Sequence, residues 1–158
     1  MGVMVSKFGL LKNNITKYSF LKLKMFLQPK KTKYKKTQKG NLKKLEFKTN
    51  TIKFGEFGLK AQVSGIITAR QIEAARRTIA RKINRKGKIW ICIFPDFPIT
   101  AKPTESRMGK GKGSVSFWGA RVRGGTTLFE VCGIPKHVAT EALKAGGKKL
   151  PVKTKIFD

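Results

Sequence analysis

The chain has 158 residues, 36 of them Lys or Arg and 8 Asp or Glu, for a formal net charge of +28. That length suits one domain, and 40% hydrophobic residues suffice for its core. So one-sided a charge repels itself and excludes a chain that works alone in water; it calls for a polyanion, an RNA or DNA backbone first and an anionic membrane surface second.

Residues 1–50 read as a basic arm, with 14 Lys against Glu46 alone. Phe8, Leu11, Ile15 and Tyr18 have helical spacing, but Lys12 and Lys22 fall on the same side and spoil the amphipathic pattern. Lys interrupts residues 1–27 throughout, which excludes a secretory signal and a membrane span, and the absence of Arg argues against a cleaved presequence. Lys30, Lys31, Lys33, Lys35, Lys36 and Lys39 follow with one aromatic among them, Tyr34, the best candidate to stack on a base. Alone in water this stretch has too little apolar surface to order itself.

The globular part begins near Thr51. Residues 51–57 and 59–67 read as two strands, with Gly55 and Gly58 as bends. Thr68-Ala69-Arg70-Gln71 is a capping box, and the helix it opens runs to about Arg85, with Gly87 as the left-handed stop. At 100° per residue Ile72, Ala75, Ile79 and Ile83 form one apolar stripe, while Arg70, Arg77, Arg81 and Arg85 form the opposite face, with Glu73 four residues before Arg77. A merely solvated face would carry mixed charge; this one reads as a row of guanidiniums for phosphate.

Residues 88–94 read as a central strand, and Pro95, Pro98 and Pro103 then break regular structure. Next comes Arg107-Met108-Gly109-Lys110-Gly111-Lys112-Gly113-Ser114, three glycines alternating with two lysines and no acid. Glycine lets the backbone approach a partner and adopt positive φ, and lysine adds compact charge, so the loop reads as a phosphate contact. Its spacing fits neither the P-loop nor the dinucleotide fingerprint, and no helix follows; a solvated loop is the plain alternative. Strands over 116–123 and 126–132 flank Gly124-Gly125, a two-residue hairpin signal. Pro135 opens a second helix to about Ala145, ended by Gly146-Gly147, and 150–157 is a last strand. The sum is an α+β fold, a mostly antiparallel sheet packed with two helices behind a basic N-terminal arm.

All eight Arg lie between Arg70 and Arg123, and both flanks use Lys only. Arg marks directional contact; Lys marks electrostatic glue. Trp90, Trp118 and most Phe read as core, and His137 as structural. Cys92 and Cys132 with a single His match no metal spacing and no disulfide framework, which suits a reducing compartment. The scattered acids offer no paired carboxylates, so neither catalysis, nor a cofactor, nor a metal is expected.

Three stretches resemble the large-subunit ribosomal protein L-sixteen family of bacteria and organelles. They are Leu27-Gln28-Pro29-Lys30-Lys31-Thr32-Lys33-Tyr34; Thr68-Ala69-Arg70-Gln71-Ile72-Glu73-Ala74-Ala75-Arg76-Arg77 with Gly87-Lys88-Ile89-Trp90; and Arg107-Met108-Gly109-Lys110-Gly111-Lys112-Gly113, in order from about Met25 to Lys155. The resemblance implies a non-catalytic α+β protein of the large subunit, lying below its central protuberance near the aminoacyl-tRNA site. Its partners would be large-subunit ribosomal RNA, tRNA and neighbouring ribosomal proteins. Lysines 30–39 and the Arg70, Arg77, Arg81 and Arg85 face would hold ribosomal RNA, and loop 107–113 would face tRNA and the peptidyl transferase centre. The family usually begins near Met25, so the chain divides into an extension (1–24), an RNA-binding arm (25–50) and one globular domain (51–158). The extension and the Lys bias point to a mitochondrial ribosome and to synthesis inside the organelle. Two departures stand out: Phe97 where the family usually has Lys, and Gly146-Gly147 where it has a more helical stretch. The competing readings are a cationic membrane-surface protein, a general RNA-binding protein outside the ribosome, and a nuclease relying on Lys or Arg alone.

Overall fold

The computed structural model describes residues 27–109 and 111–158, so the expectations for residues 1–26 and for Lys110 lie outside the described residues. Helix α1 (Ala69–Lys82) organises the core. Its stripe of Ile72, Ala75 and Ile79 is fully buried, and Ile83 follows at the cap. Each such Ile contributes roughly 1.5–3 kcal/mol on leaving water. The capping box forms as the sequence predicts: Gln71 N–H donates to Thr68 Oγ1 (3.3 Å) and Thr68 N–H donates to Gln71 Oε1 (2.8 Å). The helix ends earlier than expected, because Asn84 and Arg85 already take positive φ (52° and 60°). Gly87 is also left-handed, at 72°, but its task is to turn the chain into the next strand, where a Cβ would stand 2.5 Å from the Cys132 carbonyl oxygen.

Seven strands form two antiparallel sheets among the described residues. β1 (Phe57–Ala61), β3 (Lys88–Ile91), β6 (Thr127–Cys132) and β7 (Thr154–Phe157) make a four-stranded sheet in the order β3-β6-β1-β7. β2 (Gly65–Thr68), β4 (Phe97–Ala101) and β5 (Ser114–Val122) make a three-stranded sheet in the order β2-β5-β4. Between them lie α1 and α2 (Lys136–Gly147), packed on each other, α1 against β2 and β5 and α2 against β1 and β7. Phe129, Leu59, Ile67, Leu128 and Leu143 fill the centre.

Several expectations are corrected. Residues 51–56 form no strand; they cross the four-stranded sheet as bends. The expected strand over 59–67 is two strands in different sheets, broken at 62–64. β3 is an edge strand, not a central one, and Pro98 sits inside edge strand β4 opposite Trp118, where a missing N–H costs no ladder bond. Gly124-Gly125 does turn the chain, with Thr126 N–H donating to the Arg123 carbonyl (3.2 Å) and Gly125 at φ 97°. It joins no hairpin, because β5 and β6 belong to different sheets. Local turn chemistry fixes a bend but not the sheet to which the chain returns.

Gly146 and Gly147 are the last two residues of α2 rather than a stop just beyond Ala145, and both are buried. A Cβ at Gly146 would fall 2.6 Å from Ile79 Cγ1, and one at Gly147 2.5 Å from Thr154 Oγ1. The glycines let α2 close onto α1 and β7, which outweighs a propensity cost of about 1 kcal/mol each. The aromatics are also less buried than expected. Phe129 is enclosed, whereas Phe47, Phe54, Phe94 and Phe117 are exposed and Trp90 and Trp118 half-buried. His137 is exposed on α2.

Candidate nucleic-acid interface

Arg70, Arg77 and Arg81 are exposed on α1, whereas Arg85 lies past its end in the left-handed turn, and one acid orders part of the row. Glu73 accepts from Arg76 through both oxygens (2.8 Å each) and from Arg77 Nε at 2.9 Å. Arg76 holds the Glu73 carboxyl below its ordinary range; partial burial opposes this and Arg77 adds to it. Arg76 was absent from the expected set; its signal was the three-residue spacing from Glu73. Arg76, Arg77, Arg81, Asn84 and Arg85 line a shallow groove of about 610 Å³. Arg70 lines a second groove of about 570 Å³ with Leu27, Gln28 and Glu73, and Arg77 borders both. The helix therefore presents Arg70, Arg76, Arg77 and Arg81 on a core-anchored element, with Arg85 following in the turn after it.

The arm and the glycine–lysine loop, more than seventy residues apart in sequence, touch. Lys36 Nζ donates to the Lys112 carbonyl (2.7 Å), and Lys112 Nζ donates to the Thr37 carbonyl. Lys102 Nζ donates to the Gly109 carbonyl at 2.6 Å. Lysines thus tie down the very backbone expected to meet phosphate. Gly109 and Gly111 hold φ of 95° and 80° with open space around them, so they serve conformation. Gly113 serves close approach, since a Cβ there would stand 2.4 Å from the Ala101 carbonyl oxygen. Met108 is 93% exposed at the tip, and Arg107 is exposed beside it.

Along the arm, Lys30, Lys31, Lys33, Lys35 and Lys39 are exposed. Tyr34 is 66% exposed, with Lys33 Nζ 5.6 Å from its ring centroid. Leu27 and Gln28 share a groove with Thr68, Arg70, Phe117 and Trp118, so the start of the arm meets the start of α1 while its middle meets the loop. The arm thus meets α1 through Leu27 and Gln28 and the loop through Lys36 and Thr37.

Sequence reasoning missed Glu130. This carboxylate on β6 is 1% exposed and accepts backbone N–H bonds from Phe54 (2.7 Å), Gly55 (2.8 Å) and Lys53 (3.2 and 3.3 Å). Burial pushes its pKa up, but the three N–H donors more than offset this and leave it below the ordinary value. The Cys92 thiol, 3.5 Å away, is pushed up to about 12 by burial and by that carboxylate. Glu130 pins the segment that leads from the arm into β1. Its signal was a lone acid inside the apolar run Leu128-Phe129-Glu130-Val131-Cys132.

No three His, Cys, Asp or Glu side chains come together as metal ligands would among the described residues, and no described helix is long and apolar enough to cross a membrane. Residues 29–157 match the family described as ribosomal protein L16p/L10e. The chain is 55% identical over 130 residues to the large ribosomal subunit protein uL16 of Maricaulis maris, covering 82% of this chain and 95% of that one. It is 54% identical over 129 residues to the uL16 of Rhizobium etli (82% and 94% covered) and 55% identical over 131 residues to that of Bartonella henselae (83% and 96% covered).

Proposed function

Because the chain belongs to the ribosomal protein L16p/L10e family, and is therefore a structural, non-enzymatic constituent of the large ribosomal subunit, we propose that its arm and α1 arginines bind large-subunit ribosomal RNA while loop 107–113 faces tRNA near the peptidyl transferase centre. The observation that carries this reading is the pair of ties from Lys36 Nζ to the Lys112 carbonyl and from Lys112 Nζ to the Thr37 carbonyl, which bring the arm and the loop together. Exposed arm lysines neutralise phosphates and release counterions. The α1 guanidiniums, two of them held by Glu73, grip phosphates and read folded shape rather than sequence. Lys112 spends its ammonium on the arm, so its role is to set the direction of the loop.

We place the protein in a mitochondrial ribosome on the strength of the Lys-only flanks and of residues 1–24, which precede the family match. The bacterial relatives favour a bacterial ribosome as the second reading. Co-sedimentation with large subunits from purified mitochondria separates the two.

The functional test uses large subunits depleted of this protein and reconstituted with full-length variants. R77A/R81A is expected to lower occupancy in purified subunits by at least about tenfold, as two charge-assisted contacts are lost. K110A/K112A is expected to assemble normally but slow peptidyl transfer. Unchanged occupancy for the first, or unchanged transfer for the second, contradicts the assignment of that element.

A further inference from the structure

Between the arm and the three-stranded sheet runs a groove of about 570 Å³ that neither the α1 row nor the loop uses, lined by Thr37, Thr49, Asp96, Phe97, Arg121 and Arg123 among others. That volume is in the range of a small-ligand site. Arg121 lies over the Phe97 ring, its guanidinium carbon 5.2 Å from the centroid. Arg123 is only loosely engaged, 3.6 Å from Glu46 Oε2. Thr49 Oγ1 is buried and has no hydrogen-bond partner, the one such side-chain oxygen or nitrogen among the described residues. Asp96 is exposed at the rim and takes part in none of the ion pairs found among the described residues.

A carboxylate facing a phosphate backbone is repelled, and in a chain with 8 acids against 36 bases its position needs a reason. Base edges supply one. Guanine offers two adjacent N–H donors, N1–H and the N2 amine, which match the two oxygens of one carboxylate; cytosine and adenine offer one amine, and uracil one ring N–H. Arg121 covers one face of Phe97, so the guanidinium plane and the ring edge beside it offer the stacking surface, and Arg121, with Arg123 loosely paired to Glu46 of the same groove, brings charge for the nucleotide's phosphate.

We infer that the groove between arm and sheet holds a single unpaired guanosine of the bound RNA, with the base against Phe97 and Arg121 and its Watson–Crick edge on Asp96. This inference rests on RNA being the partner. It assigns the arm a recognition task in addition to its electrostatic one, because residues 37–49 form one wall of the groove.

The test is fluorescence anisotropy of the full chain, at one physiological salt concentration, with a short uridine ribooligonucleotide carrying one central guanosine. Oligonucleotides with adenosine, cytidine or uridine at that place are the comparison. The guanosine oligonucleotide is expected to bind about tenfold tighter than each of the others, the discrimination of one good bidentate contact. Asp96→Asn, an exposed and fold-neutral change, is expected to abolish the preference while leaving the all-uridine affinity within about twofold. Phe97→Ala is expected to weaken the guanosine oligonucleotide and spare the all-uridine one. Equal binding of all four, a preference for another base, or a preference that survives Asp96→Asn overturns the inference and leaves the ribosomal reading intact; equal binding is also the outcome if a protein segment is the occupant. Failure to bind any RNA overturns both.

Discussion

The arginine face of α1 and the lysine surface of the arm and loop carry the same sign of charge on opposite kinds of support. Ile72, Ala75 and Ile79 seat α1 in the core, and Glu73 fixes two of its guanidiniums. The arm holds no helix or strand over 27–50 and is secured by Leu27 against the core and by polar ties that include Lys36 to Lys112, Lys112 to Thr37, Glu46 N–H to the Gly124 carbonyl at 2.9 Å and Thr127 N–H to the Thr49 carbonyl at 2.9 Å. Arg70, Arg76, Arg77 and Arg81 sit on a helix whose geometry the core fixes, the arm's lysines on a stretch without helix or strand, and Arg107 on the exposed loop is the exception to that division. On the helix a planar fork gains from a rigid base, and a point charge on a flexible stem does not need one.

The sharpest way to break the comparison is to cut the pin between the two regions. Glu130→Ala leaves the N–H groups of Lys53, Phe54 and Gly55 without their acceptor and is expected to cost about 3 kcal/mol, measured by denaturant unfolding. The folded carboxyl has a depressed pKa, so its contribution is complete above the unfolded value near 4.5 and is lost as pH falls through the folded one. The variant's stability is therefore expected to fall less steeply than wild type below that value. Equal acid sensitivity would show that Glu130 does not hold the segment.

A smaller effect tests the seat of the helix. Gly146→Ala places a methyl 2.6 Å from Ile79 Cγ1 and is expected to cost about 1–3 kcal/mol by overpacking, despite the better helix propensity of Ala. Adding Ile79→Val is expected to recover part of that loss. A stabilised Gly146→Ala would mean that propensity outweighs the close approach of the helices.

α1 was legible in the sequence because three independent signals coincide there: the Thr68–Gln71 box, the 3.6-residue stripe and the segregated Arg row. The loop was legible as a loop through its alternating glycines. What stayed hidden depends on partners distant in sequence. Gly146-Gly147 carries the same local signal whether it ends a helix or brings two helices together, and only Ile79 and Thr154 decide. Gly124-Gly125 announces a turn but not its destination sheet. The tie of Lys36 to Lys112 and the burial of Glu130 under residues 53–55 arise from tertiary placement, which no periodicity records. Trp90 looked like core because its run is apolar; on edge strand β3 it is half-buried and stacks on Phe54 of the strandless segment 51–56, with centroids 6.3 Å apart.

Salt dependence of full-chain binding to a folded large-subunit ribosomal RNA fragment, set beside an unstructured RNA of equal length, tests the division of labour most directly. K30A/K31A/K33A is expected to reduce the slope of log affinity against log salt by about 2 to 3, with the preference for folded RNA unchanged. R77A/R81A is expected to erode that preference as well as the slope. Should both variants lose slope and preference alike, the contrast between a shape-reading helix and an electrostatic arm is wrong.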